Sequence, residues 1–351
     1  MKKRFFTGSF MYTGDPGIRC FELDTETGKL TAGEINQDVW NPTYLCINKT
    51  RDRLYATSEH DVGEGVPSGV NAFAINADGS LTHLGFAEAS GFGATHIATN
   101  GKYLAAAEYY TGDVDLYALD ENGGIAGHIA NDRHTGRGPI PERQDCAHAH
   151  YVGFDPFDRN KLWSCDLGND TVYVYDVTDG RLKTEHKIAF PAGEGPRHLL
   201  FSLKRPELAY CVCEISYNLF VIDKTDFKPT LIAKYPYLDG VKFGGAAAIR
   251  FGADEDCIYT SNRILDPPSG RDNVVRYALS ADGRTVTGTE EYRTGYRFPR
   301  DMNVFAEYGL IATACQLDDK LQIRRINADG SVGEATDETD VESVCCITDL
   351  I

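Results

Sequence analysis

Residue types that move protons and grip anions stand at matching places along this sequence. His148 and His150 are two apart, at the entry to an apolar run. Glu108, Asp166, Glu214 and Gln316 each close a short apolar run; Arg197 and Arg300 each open one, and Arg263 follows the end of another. Imidazole can give or take a proton near neutral pH. Arginine forks hold carboxylate or phosphate and oppose developing negative charge. Ser9, Thr43, Thr95 and Glu59 occupy equivalent places, where simple satisfaction of strand ends accounts for them. Charges of both signs close to one axis are expensive unless paired or used, so the cationic sector His148, His150, Arg197, Arg263 and Arg300 is read as functional.

The elements that position these residues form a repeat. Cys146 to Gly168 reads as a hairpin: an apolar strand, an Asp/Pro-rich turn, then a strand ending at Asp166. The second strand recurs with ends at Ser9, Glu59, Glu108, Asp166, Glu214, Asn262 and Gln316, every 48 to 58 residues. The first strand recurs with the same period. A third strand and a fourth follow, separated by Asp/Gly turns such as Ala77-Asp78-Gly79-Ser80. Alternating β-branched and aromatic residues between such turns mark strands. Four strands at this period indicate an all-β, seven-bladed β-propeller of antiparallel strands, a single domain over 1–351. Only six first strands precede the seven second strands. The apolar stretch at 342–347 supplies the seventh, so the C-terminal strand closes the first blade and removes its open edge. The strand-end residues should then line one mouth of the central channel.

Composition limits the partners. The formal charge of −17 opposes binding to nucleic acid or an anionic membrane. There is no long apolar run to cross a membrane, and the basic start Met1-Lys2-Lys3-Arg4 lacks the apolar core of an export signal. None of the ten cysteines forms a C-x-x-C motif, and most lie in strand patterns, so all ten are expected as free thiols in a cytoplasmic protein. A monomer or weak homo-oligomer is expected. No phosphate loop, dinucleotide fingerprint or G-x-S-x-G elbow occurs, so no cofactor is expected. His148-Ala149-His150 would put two imidazoles on one strand face, but no carboxylate triad completes the set, and no metal is expected. The stretch His128 to Ala147, which carries Arg133, His134, Arg137 and Arg143, reads as a long functional loop.

Several of these pieces together resemble the seven-bladed propeller lactonase family, which includes propeller-type 6-phosphogluconolactonases and the 3-carboxy-cis,cis-muconate lactonizing enzyme. The matching segments are His134-x-Gly136, Pro141-x-Arg143-Gln144, His148-x-His150 and Asp166-Leu167-Gly168-x-Asp170. Gly195-Pro196-Arg197-His198-Leu199, Glu214, Ser261-Asn262-Arg263 and Pro299-Arg300 follow. Ala147 stands where the family has Pro, Arg137 where a small residue is common, and the loop around Pro267-Pro268 looks long. The resemblance implies a metal-independent lactone hydrolase acting on an anionic or sugar lactone. It implies His148, Arg197, Glu214 and Arg263 as catalytic residues. His150, Arg300, Asp166, Glu108, Arg143, Gln144 and Gln316 are the expected substrate-binding residues. His148 and Glu214 both remain candidates for the base, with Arg197 expected beside Glu214. Cycloisomerisation of a carboxylated muconate is the alternative chemistry. A non-enzymatic binding scaffold is the alternative class, one that would show an apolar face without converging charges.

Overall fold

A computed structural model describes residues 1–10, 17–59, 68–226, 228–237, 244–264 and 272–351. The loop bearing Pro267-Pro268 lies outside the described residues. Among the described residues there are seven four-stranded sheets, and each holds four strands that are neighbours in sequence order, except the first. That first sheet runs Val344–Ile347, Lys2–Ser9, Ile18–Asp24, Lys29–Asn36. The C-terminal strand therefore completes the N-terminal blade, as the strand count requires. Among the described residues the only helical turns are three short 3-10 segments, Ala253–Glu255, Ala306–Tyr308 and Gln316–Asp318.

Burial separates the strands within each blade. Second strands such as Tyr103–Glu108, Leu208–Cys213 and Cys257–Asn262 are buried from end to end. Fourth strands such as Leu81–Glu88 and Thr230–Tyr235 alternate between half-buried and exposed positions, the pattern of a strand with one wet face. The second strands end where the period puts them: Ser9, Glu108, Asp166 and Asn262 are terminal strand residues, while Glu59, Glu214 and Gln316 follow at once.

The first strands carry a feature that alternation alone does not reveal. Ala94 pairs with Glu108 but His96 pairs with Ala107, which leaves Thr95 as an extra residue. His150 is the extra residue between Ala149 and Tyr151, and Arg300 between Pro299 and Asp301. Each is a β-bulge, a device that re-aims a side chain and bends its strand. The bulge at His150 interrupts simple alternation directly after His148 and Ala149.

The chain divides into two compact units, residues 1–7, 21–33 and 198–351 in one and 8–20 and 34–197 in the other. In the first, Phe5, Phe21, Leu310, Leu321, Val344 and Ile347 form one core cluster, and Tyr210, Val212, Tyr217, Ile249 and Tyr277 belong to another. In the second, Val114, Leu116, Val152, Leu162 and Tyr175 share one cluster, and Tyr55, Val70, Ile97 and Tyr117 share another. All ten cysteines are free; seven are buried, and Cys20, Cys46 and Cys146 are half-buried.

Candidate active site

In the unit containing 34–197, His148 lies just ahead of the strand Ala149–Phe154 and is buried. Its backbone N–H donates to Asp166 Oδ1 at 2.8 Å, and the same oxygen accepts from the N–H groups of Gly168 and Asn169. Asp166 thus fixes the chain on either side of the hairpin. The His148 ring stacks on Tyr109, with centroids 4.5 Å apart and planes 15° from parallel. Nδ1 lies 2.8 Å from the Tyr109 carbonyl oxygen and Nε2 lies 3.0 Å from Asp145 Oδ1. Both nitrogens face oxygen atoms, so a ring N–H on either one has an acceptor. The hydrogen bond to His148 holds the Asp145 carboxyl below its ordinary pKa. Cys146 Sγ stands 3.8 Å from Nε2, and burial, then Asp145 and Asp166, pushes that thiol up.

A buried polar chain lies behind the histidine. Asp166 Oδ2 is 2.8 Å from His134 Nδ1, His134 Nε2 is 2.5 Å from the Tyr175 hydroxyl, and that hydroxyl donates to Asp132 Oδ2 at 2.9 Å. Tyr173 stacks on His134 at 3.7 Å. Gln144, fully buried, donates from Nε2 to the Leu167 carbonyl at 2.9 Å and so anchors the loop to the hairpin. Arg143 is half-buried in that loop, and His150 is buried with its ring edge-on to Tyr109 at 5.6 Å. The loop is shorter than expected. Ile125–Arg133 is the fourth strand of its blade, and Arg133 leaves the loop to grip Asp113 through Nε and a terminal nitrogen at 2.8–3.1 Å. Glu108 is fully buried and neither oxygen has a hydrogen-bond partner among the described residues. Burial foremost, and then Asp115, Asp113 and Glu59, raises its pKa well above the ordinary carboxyl value.

In the unit containing 198–351, Glu214 and Arg263 form a buried ion pair, with Arg263 NH2 2.8 Å from Glu214 Oε2. Arg263 also donates from Nε to the Gly245 carbonyl at 2.9 Å and from NH2 to the Ala246 carbonyl at 3.3 Å. Its guanidinium lies 5.0 Å from the centre of the Phe298 ring, and its own carbonyl accepts from the Tyr217 hydroxyl at 2.8 Å. Two of the residues around this pair hold a left-handed backbone, Tyr217 at φ 59° and Phe298 at φ 64°. For bulky residues such a φ is rare and is retained where the surroundings enforce it. Gly244 is required by space: a Cβ there would sit 2.1 Å from the Ile215 carbonyl oxygen and 2.3 Å from that of Glu214. Arg300, half-buried, reaches Gln316 Oε1 at 3.5 Å.

The strand-end residues are therefore legible in the sequence, and so are their blades. Arg197 is buried in the strand Pro196–Phe201, and Glu214 is paired with Arg263. Sequence reasoning missed Tyr109, Asp145, Cys146, Tyr217 and Phe298. Tyr109 acts through its carbonyl and its ring face, and the others depend on loop or turn conformation. The only signal for them was position: Tyr109 directly follows the strand-end Glu108, and Phe298 directly precedes the Pro299-Arg300 motif.

The family model described as "Lactonase, 7-bladed beta-propeller" matches residues 4–348. The chain belongs to this propeller lactonase family. A relative from Bacillus subtilis named 6-phosphogluconolactonase is 29% identical over 303 residues, 84% of this chain and 83% of that protein. A crystal structure from Bacteroides fragilis superposes with a TM-score of 0.91 at 22% identity, covering 100% of this chain and 98% of that one. The Pseudomonas aeruginosa periplasmic gluconolactonase superposes with a TM-score of 0.89 at 21% identity, covering 100% and 99%. At those identities the two structures speak for the fold, the seven-bladed β-propeller. Among the described residues no helix is long and apolar enough to cross a membrane.

Proposed function

We propose that this propeller lactonase hydrolyses a sugar lactone of the 6-phosphogluconolactone type. The observation that carries the reading is the family match through 4–348, joined to the relative named 6-phosphogluconolactonase. Hydrolysis adds water to the lactone carbonyl, passes through an oxyanion, breaks the bond to the ring oxygen and leaves a hydroxy acid. The reaction needs a group that takes a proton from water, donors for the oxyanion, and a proton for the departing ring oxygen.

The local geometry of each group supports a role. Glu214 sits against Arg263, a partner that favours its ionised form, and an ionised carboxylate can orient water and accept its proton. His148, set between the Tyr109 carbonyl and Asp145, is presented as a proton donor. Arg197 is assigned to the oxyanion or to the substrate's anionic group, where a guanidinium fork is effective. No step of this scheme calls for a metal or cofactor. We place the protein in the cytoplasm, where ten free thiols persist reduced.

The test is the rate of acid release from freshly generated 6-phosphogluconolactone, measured beside the unphosphorylated lactone and corrected for spontaneous hydrolysis. The proposal expects enzymatic turnover with preference for the phosphorylated substrate. Equal rates on both would move the assignment to another lactone, and no rate above background on either would overturn it.

A further inference from the structure

We propose that Asp145, Cys146 and His148 form a binding site for one divalent cation of the zinc class. Their ligand atoms lie within 4.8 Å of one another. Nε2 of His148 is 3.0 Å from Asp145 Oδ1 and 3.8 Å from Cys146 Sγ. With metal–ligand bonds of about 2.0–2.3 Å, neighbouring ligands of a tetrahedral zinc stand roughly 3.3–3.6 Å apart. These two separations bracket that spacing, and the Asp145 and Cys146 ligand atoms lie within 4.8 Å of each other, so the three groups can converge on one ion. One carboxylate oxygen, one thiolate and one imidazole leave a fourth position for water, the arrangement of an open site.

The surroundings match what a metal-binding histidine needs. Nδ1 faces the Tyr109 carbonyl, which keeps that proton in place, so that a cation would take the place of the Nε2 proton beside the carboxylate and the thiol. Stacking on Tyr109 fixes the ring plane. The Asp166 carboxylate pins the His148 backbone, and Gln144 pins the start of the Asp145–Cys146 segment. Gly168 lets that segment approach, since a Cβ there would lie 1.9 Å from the Cys146 carbonyl oxygen. The frame is therefore built before any ion arrives, so little ordering opposes binding.

The experiment uses the full chain without a histidine tag, stripped with chelator and then titrated with Co²⁺. Binding at this site should produce near-ultraviolet thiolate-to-cobalt absorption that saturates at about one ion per chain and is displaced by Zn²⁺. Cys146→Ser should abolish that absorption, while Cys20→Ser and Cys46→Ser should keep it. Asp145→Asn, at an exposed position where folding is not at stake, should weaken binding by about tenfold or more. Bound Zn²⁺ should also shield Cys146 from alkylation. Absence of the thiolate band at saturating Co²⁺, its survival in Cys146→Ser, or unchanged affinity in Asp145→Asn would each overturn the site. A cation on Nε2 would displace the proton that the hydrolase reading gives to His148, but none of these readouts involves lactone turnover, so the two readings are tested separately.

Discussion

Glu214 and Arg263 are buried together, and such pairs behave differently when broken than when replaced. Removing one partner leaves a buried charge uncompensated and costs about 3–5 kcal/mol, whereas exchanging both for neutral groups is often close to neutral. Arg263→Met should therefore lower the thermal midpoint well below that of the parent, and Glu214→Gln/Arg263→Met should recover most of the deficit. A double variant no more stable than Arg263→Met would dissolve the coupling. Activity should separate from stability: Glu214→Gln and His148→Ala should each reduce turnover about 10²–10³-fold in folded protein, the scale of removing one group that acts in the transition state. Glu108 makes a prediction about pH. Its folded pKa is raised, foremost by burial, so between the unfolded value, about 4.3, and the folded value the native state holds a proton that the unfolded chain has released. Stability from this group is complete below that window and is lost as pH rises through it. Glu108→Gln carries no proton to lose. The difference in melting temperature, variant minus parent, should therefore climb from pH 4 to pH 8; a flat difference would mean that Glu108 is ionised in the fold.

At the scale of elements, periodicity places strand ends but not what loops do between them. Asp166 and Glu214 are readable because each closes an apolar run of fixed period. Arg133 reads as a loop residue because His128–Arg133 is polar, yet a fourth strand with a wet face is expected to be polar, and this one carries its ladder on to Arg133. The bulges at Thr95, His150 and Arg300 are invisible in the sequence for a related reason: a bulge adds one residue without changing the composition of its strand. Tyr217 and Phe298 adopt left-handed conformations that their residue types disfavour, so sequence points away from them. Gly168 converts this into a test. The hairpin holds His148 only because Gly168 has no Cβ; one added there would press on the Cys146 carbonyl and come within 2.8 Å of the His148 backbone nitrogen. Gly168→Ala should reduce kcat by about tenfold or more with a smaller change in KM, as expected when a reacting group is misplaced while the substrate's binding groups stay intact. An unchanged kcat would show that the position of His148 does not limit the reaction.

On the scale of the molecule, the repeat is the most legible property, because two series of strands carry the same period independently. It also requires an N-terminal blade completed from the far end of the chain, and the first sheet has that composition. The attachment there is more than one strand. Thr348 and Phe6 are tied twice: the Thr348 N–H donates to the Phe6 carbonyl, and the Phe6 N–H donates to the Thr348 hydroxyl, both at 2.9 Å. Ile351 and Arg4 pair through N–H to carbonyl bonds at 2.8 and 3.3 Å. The Ile347 N–H donates to Asp301 Oδ2 at 2.8 Å, and Asn303 donates to Asp349 at 3.0 Å. Val344, Ile347 and Leu350 are buried in the same cluster as Phe5, Phe21 and Leu310. Deleting 342–351 removes these apolar side chains together and uncovers the backbone edge of Lys2–Ser9, an unpaired strand that invites association with other chains. The truncated protein should melt at a markedly lower temperature and form soluble oligomers or aggregates on size-exclusion chromatography. A monomeric truncation with the parent's melting temperature would show that the C-terminal strand is dispensable and that the first blade is held by its remaining three strands.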